Sequence, residues 1–386
     1  MITTAFRRAA SAFAFALLVS FAAAPSFAST EGASPTVPNP GMSDRITGVS
    51  TVSSTFAWAV GDFFTGSEQD TLVLKFNGST WKKVPSPTPG GTHGSGLAAV
   101  SADAAKDAWA VGQFSDGSRT NTLALRWNGL SWSQVATPNP GVSQALLTGV
   151  TAISPTNAWA VGGFFDGTEQ QTLILHWNGA SWSQVSSPNA PGNNFLNGID
   201  ARSATDIWAV GQAFDDNVTS TLIEHFDGGN WTIVPSPSPS GFDDELKAVS
   251  VSSASNAWAV GENFPTAGSE TLILRWNGNK WKRVQSPNPG GTVGNDLNGV
   301  DIVGNNEAWA VGRFISGSDG FDLILRWNGT KWKPVTGASP GSHNNILNSV
   351  SVVSSTDVWA GGFDFANHGG SKNELEHWDG HTWTAA

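Results

Sequence analysis

Apolar residues along the chain come in short runs broken by Gly, Pro, Asn and Ser, and the runs recur. One phrase, read as Asn-Ala-Trp-Ala-Val-Gly at 157–162 and again at 256–261, places a tryptophan at 58, 109, 159, 208, 258, 309 and 359, at intervals of 49 to 51 residues. A second phrase follows each time: KFNGSTW at 75–81, then RWNGLSW, HWNGASW, HFDGGNW, RWNGNKW, RWNGTKW and HWDGHTW. A proline-rich connector such as SPNPGG (Ser286–Gly291) leads to Leu-x-small-Val, as in Leu297–Val300. Self-similarity at about 50 residues marks a solenoid or a propeller.

Each unit parses into four strands. Strand A is LNGVDIV (Leu297–Val303), where apolar and small or polar residues alternate; strand B is AWAVG, strand C LILRWNG and strand D WKRV. Asn-Gly or Asp-Gly between C and D is a tight-turn signal, because Gly accepts positive φ. The A–B connection is short and rich in Ser, Thr, Asn and Asp, which bond nearby backbone in turns. No helical periodicity intervenes. The expected fold is all-β: a seven-bladed β-propeller with four antiparallel strands per blade, occupying residues 46–386 with blades starting near 46, 97, 147, 196, 246, 297 and 347. Closing the ring buries both faces of each sheet and leaves only short edges.

The aromatic residues follow the same grammar. Strand B contributes Trp58, Trp109, Trp159, Trp208, Trp258, Trp309 and Trp359. Strand D contributes Trp81, Trp132, Trp182, Trp231, Trp281, Trp332 and Trp383. Strand C supplies Trp127, Trp177, Trp276, Trp327 and Trp378, with Phe76 and Phe226 in the other two units; together these account for all 19 tryptophans. A large aromatic buries about 150–250 Å². The tryptophans therefore read as structural packing between blades rather than as a sugar platform.

Composition narrows the class. Charged residues are only 13% of the 386, while the apolar and aromatic content excludes a disordered chain. Arg7 and Arg8, the apolar run Ala10–Ala24 and the small-x-small site Ser26–Ala28 read as a secretory signal over residues 1–28. The apolar run is too short to span a bilayer, and no later stretch is long enough, so no membrane span is expected. The protein is expected to be secreted and extracellular, or periplasmic if it crosses an inner membrane only. The absence of cysteine excludes disulfides and thiolate metal sites. The net charge of −11, which becomes −13 without Arg7 and Arg8, argues against nucleic acid and anionic lipid as partners.

A strand ending in Gly, a variable loop, a strand ending in an aromatic-Asn/Asp-Gly turn, and then Trp and an apolar residue, as in Trp159–Val185, resembles the kelch repeat. The likeness runs over about 340 residues. The family's double Gly stands only at Gly162–Gly163 and Gly361–Gly362, and its Tyr before the turn is Trp or Phe here. The resemblance implies a propeller and a binding role rather than a reaction. Galactose-oxidase-like chemistry needs Tyr linked to Cys, and sialidase-like chemistry needs a Tyr nucleophile and Asp boxes. The chain has no Tyr, no Cys and no such box.

A basic residue precedes the strand-C aromatic in every unit: Lys75, Arg126, His176, His225, Arg275, Arg326 and His377. These residues form either a cationic ring for an anionic ligand or braces to the A–B turn residues Asp107, Asn157, Asp206, Asn256, Glu307 and Asp357; the braces are the preferred reading, worth ~1 kcal/mol each when partly exposed. No His pair has metal spacing on a helix, and no Gly-rich phosphate loop is present.

The B–C and D–A loops emerge on one face, vary in length and carry acidic and aromatic residues. Function concentrates on loops held by a rigid scaffold. The candidate ligand-binding residues are therefore Asp215, Asp216, Asp243, Asp244, Asp319 and Asp322 with Phe195, Phe242 and Phe321. No catalytic residue and no metal site is assigned. Cofactors are expected to be none; loop carboxylates could hold calcium, but no calcium-loop motif is present. The expected role is a non-catalytic binding module, monomeric, for an extracellular glycan or protein. A glycan hydrolase or lyase using loop carboxylates, and a structural or adhesive surface protein, are the alternatives. Residues 29–45 are rich in Pro, Gly and Ser, and Ser34–Gly41 looks like the D–A connector missing from the end of the last unit, so it is expected to lie beside blade 7 and seal the ring.

Overall fold

The computed structural model describes residues 37–386 apart from 266, 267, 292, 305, 340–343 and 366–368. The expected signal at 1–28 and the first part of the 29–45 segment lie outside the described residues. Among those residues the fold is all-β, a propeller of 28 strands without an α-helix; a single 3-10 turn spans Gly91–His93. The strands fall into four-stranded antiparallel groups in the order A-B-C-D, consistent with seven blades. The first group comprises Ser43–Ser53, Phe56–Phe64, Gln69–Phe76 and Trp81–Lys83. The fourth and fifth groups also touch through one parallel pairing, Thr219 with Asp243.

Strands B and C read as continuous apolar runs because both of their faces are covered by neighbouring blades. Ala57 to Val60 and Leu72 to Leu74 are fully buried. Strand D is the outer edge strand and is mostly exposed, with Trp81 buried and Lys82 and Lys83 exposed.

The Leu-x-small-Val motif of strand A has a geometric cause at the hub. In every blade the x residue is a β-bulge, skipped in the pairing between strands A and B, as at Ile46/Gly48 and Leu297/Gly299. The bulged side chain then reaches the next blade. Thr47 Oγ1 donates to Leu97 O at 2.8 Å, Asn197 Nδ2 to Leu246 O at 2.8 Å, and Asn298 Nδ2 to Leu347 O at 3.0 Å. The small residue is needed because the neighbouring strand A passes close by: a Cβ on Gly299 would stand 3.0 Å from Ser349 Cα. A second tier of bonds lies beside the first. Ser50 Oγ accepts from Ala102 N at 3.1 Å, and Asp200 and Asp301 accept from Val251 N and Val352 N at 2.8 Å.

Farther out, each strand-B tryptophan packs against the strand-C and strand-D aromatics of the following blade. Trp58 meets Trp127 and Trp132 at centroid distances of 4.9 and 5.0 Å, and Trp258 meets Trp327 and Trp332 at 4.9 and 5.1 Å. Seven such triplets result, and the seventh joins the chain ends: Trp359 meets Phe76 at 4.8 Å and Trp81 at 5.2 Å. The hub bonds close in the same way, with Asn348 Nδ2 donating to Ile46 O at 2.7 Å and Thr51 N to Ser351 Oγ at 3.0 Å.

The connectors explain the Ser-Pro-Asn motif. Thr122, near the start of strand C, donates its N–H to Asn139 Oδ1 at 2.7 Å, and its hydroxyl lies 2.7 Å from that of Thr137. Thr172 with Asn189 and Thr271 with Asn288 repeat the bond at 2.9 and 2.8 Å. On blade 7, Asn373 N donates to Asn39 Oδ1 at 2.7 Å, and Asn373 Nδ2 to Pro38 O at 2.8 Å. Residues 37–39 thus meet blade 7 with the contacts that internal connectors make elsewhere. Asn39→Ala is expected to cost about 1 kcal/mol, as one lost hydrogen bond should, and to lower the melting temperature as much as Asn139→Ala does. A silent Asn39→Ala beside a destabilising Asn139→Ala would show that this contact does not form in solution.

Candidate functional site

On the face carrying the A–B and C–D turns the basic residues are paired within their own blades. Arg126 binds Asp107 at 2.8 Å, Arg326 binds Glu307 at 2.7 Å, and His225 and His377 meet Asp206 and Asp357 at 2.8 and 2.9 Å. His176 bonds Asn157 at 3.0 Å and Arg275 bonds Asn256 at 3.0 Å. Each basic group also lies on indole rings, as Arg126 does 5.3 Å from both Trp109 and Trp177. Blade 1 has Phe56 in place of the acid, and Lys75 sits 4.7 Å over that ring, so a cation–π contact substitutes for the ion pair.

The opposite face carries the nine residues singled out from the sequence, and they serve different ends. Asp215 and Asp216 are exposed at a hairpin tip where Asp216 and Asn217 both have positive φ, 47° and 68°. That is the two-residue turn such short polar side chains tolerate. Asp243 accepts from Thr219 Oγ1 at 2.9 Å and links blades 4 and 5. Asp244 is buried, accepts from Ser240 N at 3.1 Å, and has its pKa pushed up by burial. Asp319 accepts from Ser318 Oγ at 3.3 Å. Phe195 is only half exposed, since its ring lies over Gly163, where a Cβ would strike it; that contact accounts for the double glycine of blade 3. Phe321 stacks on Phe314 at 5.5 Å, and Phe242 is 59% exposed. Other acids here fold their own loops. Asp116 and Asp166 each accept from two following backbone N–H groups and a hydroxyl, which holds both below the usual carboxylate range.

Eleven large apolar residues are exposed among the described residues, and eight of them stand on this face: Met42, Phe64, Val142, Phe242, Phe264, Val293, Phe321 and Phe365. Leu130 and Val353 lie toward the other face, and Ile233 is on an outer strand D. Phe64, Phe264 and Phe365 each end a strand B, where the alternation that buries Phe63 turns the next side chain outward.

Asp322 departs most from its expected place on the solvated rim. It is 6% exposed, at the junction of blades 6 and 7, with Glu374 and Glu376 of the adjoining strand C, 1% and 0% exposed. One carboxylate oxygen from each lies within 4.8 Å of the others. Ser339 donates its hydroxyl to Asp322 Oδ2 and its N–H to Glu376 Oε1, both at 2.8 Å, from a backbone with φ of 41°. Burial first, and then mutual repulsion, pushes the carboxyl of Glu374 well up and that of Glu376 to about 8; burial also raises Asp322. Glu374 and Glu376 were not singled out from the sequence. The signal was available, because both stand where the repeat has leucine: Leu72 and Leu74 in blade 1, Leu272 and Leu274 in blade 5.

No protein-family model matches the chain, and no curated protein does. Solved structures show the fold. The chain is similar to the β-propeller domain of the Trilobed protease from Pyrococcus furiosus, at 12% identity and a TM-score of 0.51, covering 88% of this chain and 96% of that one. It is similar to YCF48 bound to D1 peptide, at 13% identity and 0.54, covering 84% and 91%. It is similar to a PL25 polysaccharide lyase, an ulvan lyase bound to -[GlcA(1-4)Rha3S]-, at 9% identity and 0.58, covering 86% and 91%. At these identities the likeness establishes a propeller architecture for the chain.

Proposed function

We propose that the chain is an exported, seven-bladed, kelch-like propeller whose B–C/D–A loop face binds an extracellular polysaccharide or protein without transforming it. The carrying observation is the segregation of exposed apolar side chains, five of them Phe, onto that one face of a rigid ring. Apolar groups gathered on one surface mark interaction sites, and aromatic rings give a large contact area at low entropic cost. Asp215, Asp216, Asp243 and Asp319 share the face, so a ligand bearing hydroxyl or basic groups suits it. Residues 37–39 act as the closing connector in this reading. Among the described residues no helix is long and apolar enough to cross a membrane.

The likeness to a polysaccharide lyase favours a second reading, cleavage of a glycan. Glycoside hydrolysis requires two carboxyl groups flanking the bond about 5–10 Å apart. The carboxyls most perturbed beneath this face, Asp322, Glu374 and Glu376, are closed off from any sugar chain. An adhesive surface role is the third reading and predicts weak, multivalent association.

The test is a set of oligosaccharide and peptide arrays probed with the wild-type protein, a Phe242→Ser/Phe321→Ser variant and Leu130→Ser on the other face. Binding that falls at least tenfold in the double variant and is unchanged in Leu130→Ser is the expected result. A glycan that is shortened on incubation would replace this reading with the enzymatic one.

A further inference from the structure

The junction of blades 6 and 7 breaks the repeat at five positions together. Where blades 1 to 5 have Thr at the start of strand C and blade 7 has Asn373, blade 6 has Asp322. Leucine becomes Glu374 and Glu376 in blade 7; Glu224 is the sole other exception at these two positions. In the connector, the Ser or Thr found at 86, 137, 187, 236 and 286 becomes Gly337, and the proline at 87, 138, 188, 237 and 287 becomes Ala338. The changes fit one another. A Cβ at Gly337 would stand 3.2 Å from Glu376 Oε2, so glycine makes room for the carboxylate. Ala338 has the backbone N–H that proline lacks, and that group favours the charged form of Glu376 beside the Ser339 N–H that bonds it.

We propose that Asp322, Glu374 and Glu376 form a site for one hard divalent cation, Ca²⁺ by preference, which ties blade 6 to blade 7. Four oxygens in the cluster have no hydrogen-bond partner: Asp322 Oδ1, both oxygens of Glu374, and Glu376 Oε2. Glu374 is the telling member, since its whole carboxylate is buried beside two other acids and takes no hydrogen bond from any residue outside the cluster. Buried polar groups in folded proteins are almost always paired, and an unpaired buried charge is costly. No Lys, Arg or His side chain pairs with any of the three among the described residues.

The donor set selects the ion. Carboxylate oxygens without imidazole or thiolate suit Ca²⁺ and Mg²⁺ rather than Zn²⁺ or Cu²⁺. Ligands within 4.8 Å of one another fit around Ca²⁺, whose oxygens lie about 2.3–2.6 Å away in irregular geometry. Mg²⁺ demands octahedral ligands at about 2.0–2.1 Å and keeps several waters, which a site this buried does not favour. Asn345, whose Nδ2 lies 3.5 Å from Asp322 Oδ2 and whose Oδ1 is also unpartnered, is a fourth oxygen donor at hand.

The site stands independently of the ligand-binding reading: a blank array leaves it untouched, and its failure leaves the loop face untouched. The test uses protein stripped by chelator and dialysed against Ca²⁺ or Mg²⁺ near neutral pH, with bound metal counted by elemental analysis and melting followed in parallel. Wild type is expected to retain one Ca²⁺ per chain and to melt several degrees higher with it than with chelator. Glu374→Gln should lose the ion. Glu374→Leu/Glu376→Leu restores the residues of the other blades, so it should fold, bind no ion and melt identically with and without chelator. Asp243→Asn should keep the ion. Wild type that binds neither metal at millimolar concentration would overturn the proposal, leaving protons to neutralise the cluster. Retention of the ion by both Glu374 variants would do so as well, by placing it elsewhere.

Discussion

Trp359→Ala is expected to destabilise the protein by about 3–5 kcal/mol, the range for truncating a fully packed aromatic, and by at least as much as Trp109→Ala. Both indoles are buried and each sits in a three-aromatic cluster, Trp109 with Trp177 and Trp182, Trp359 with Phe76 and Trp81. The difference is covalent. Trp109 joins blades linked by a connector, whereas Trp359 joins the two ends of the chain, where only non-covalent contacts oppose separation. Calorimetric melting of the two variants separates the cases. A far smaller effect for Trp359→Ala would mean that the last interface is open in solution.

The second large effect is on pH. Glu224 occupies a leucine position, is fully buried, and is bonded only by Ser187 Oγ at 2.9 and 3.1 Å; burial pushes its carboxyl up to about 8. Asp200 at the hub is pushed up to about 7, by burial first and by the neighbouring Asp301 in part. A carboxyl raised in the folded state binds its proton more tightly there than in the unfolded chain. Its contribution to stability is complete below the unfolded pKa, near 4 to 4.5, and is lost as pH climbs toward 7 for Asp200 and 8 for Glu224. The melting temperature should therefore fall from pH 5 to pH 8.5. Each pKa unit is worth about 1.4 kcal/mol, so Glu224 alone accounts for a few kcal/mol. Glu224→Leu should flatten the profile and raise stability at alkaline pH. An unchanged slope in that variant would assign the pH dependence to other groups.

What the sequence made legible follows from its periodicity. Spacing alone located the strands, the Trp clusters and the pairing of Arg126 with Asp107, because each occurs in nearly every unit and a recurrent pair implies a recurrent contact. Lys75 was harder: its partner, the Phe56 ring, is a different chemistry at the same position. The loop face was legible as a face but not in its detail. Whether Phe63 or Phe64 points to solvent depends on strand parity at the blade rim, and Asp216 owes its place to a positive φ that composition does not reveal. The acidic cluster was missed for the opposite reason. Reading the repeat for what its copies share hides the residues that only one copy has, and Glu374 shows itself only against the leucines of the other six.

The seven interfaces share one aromatic triplet, yet only six also have a covalent connector. Backbone linkage is thus incidental to the ring: the seventh joint is made by Asn39, Asn348 and Trp359 with no peptide bond across it. All four strands of each blade come from consecutive sequence, so no blade waits for a distant segment to complete its sheet. Which blade comes first along the chain is therefore a choice of cut point rather than a feature of the ring. The same circle could be opened between any two blades, provided that blades 7 and 1 were joined by a connector.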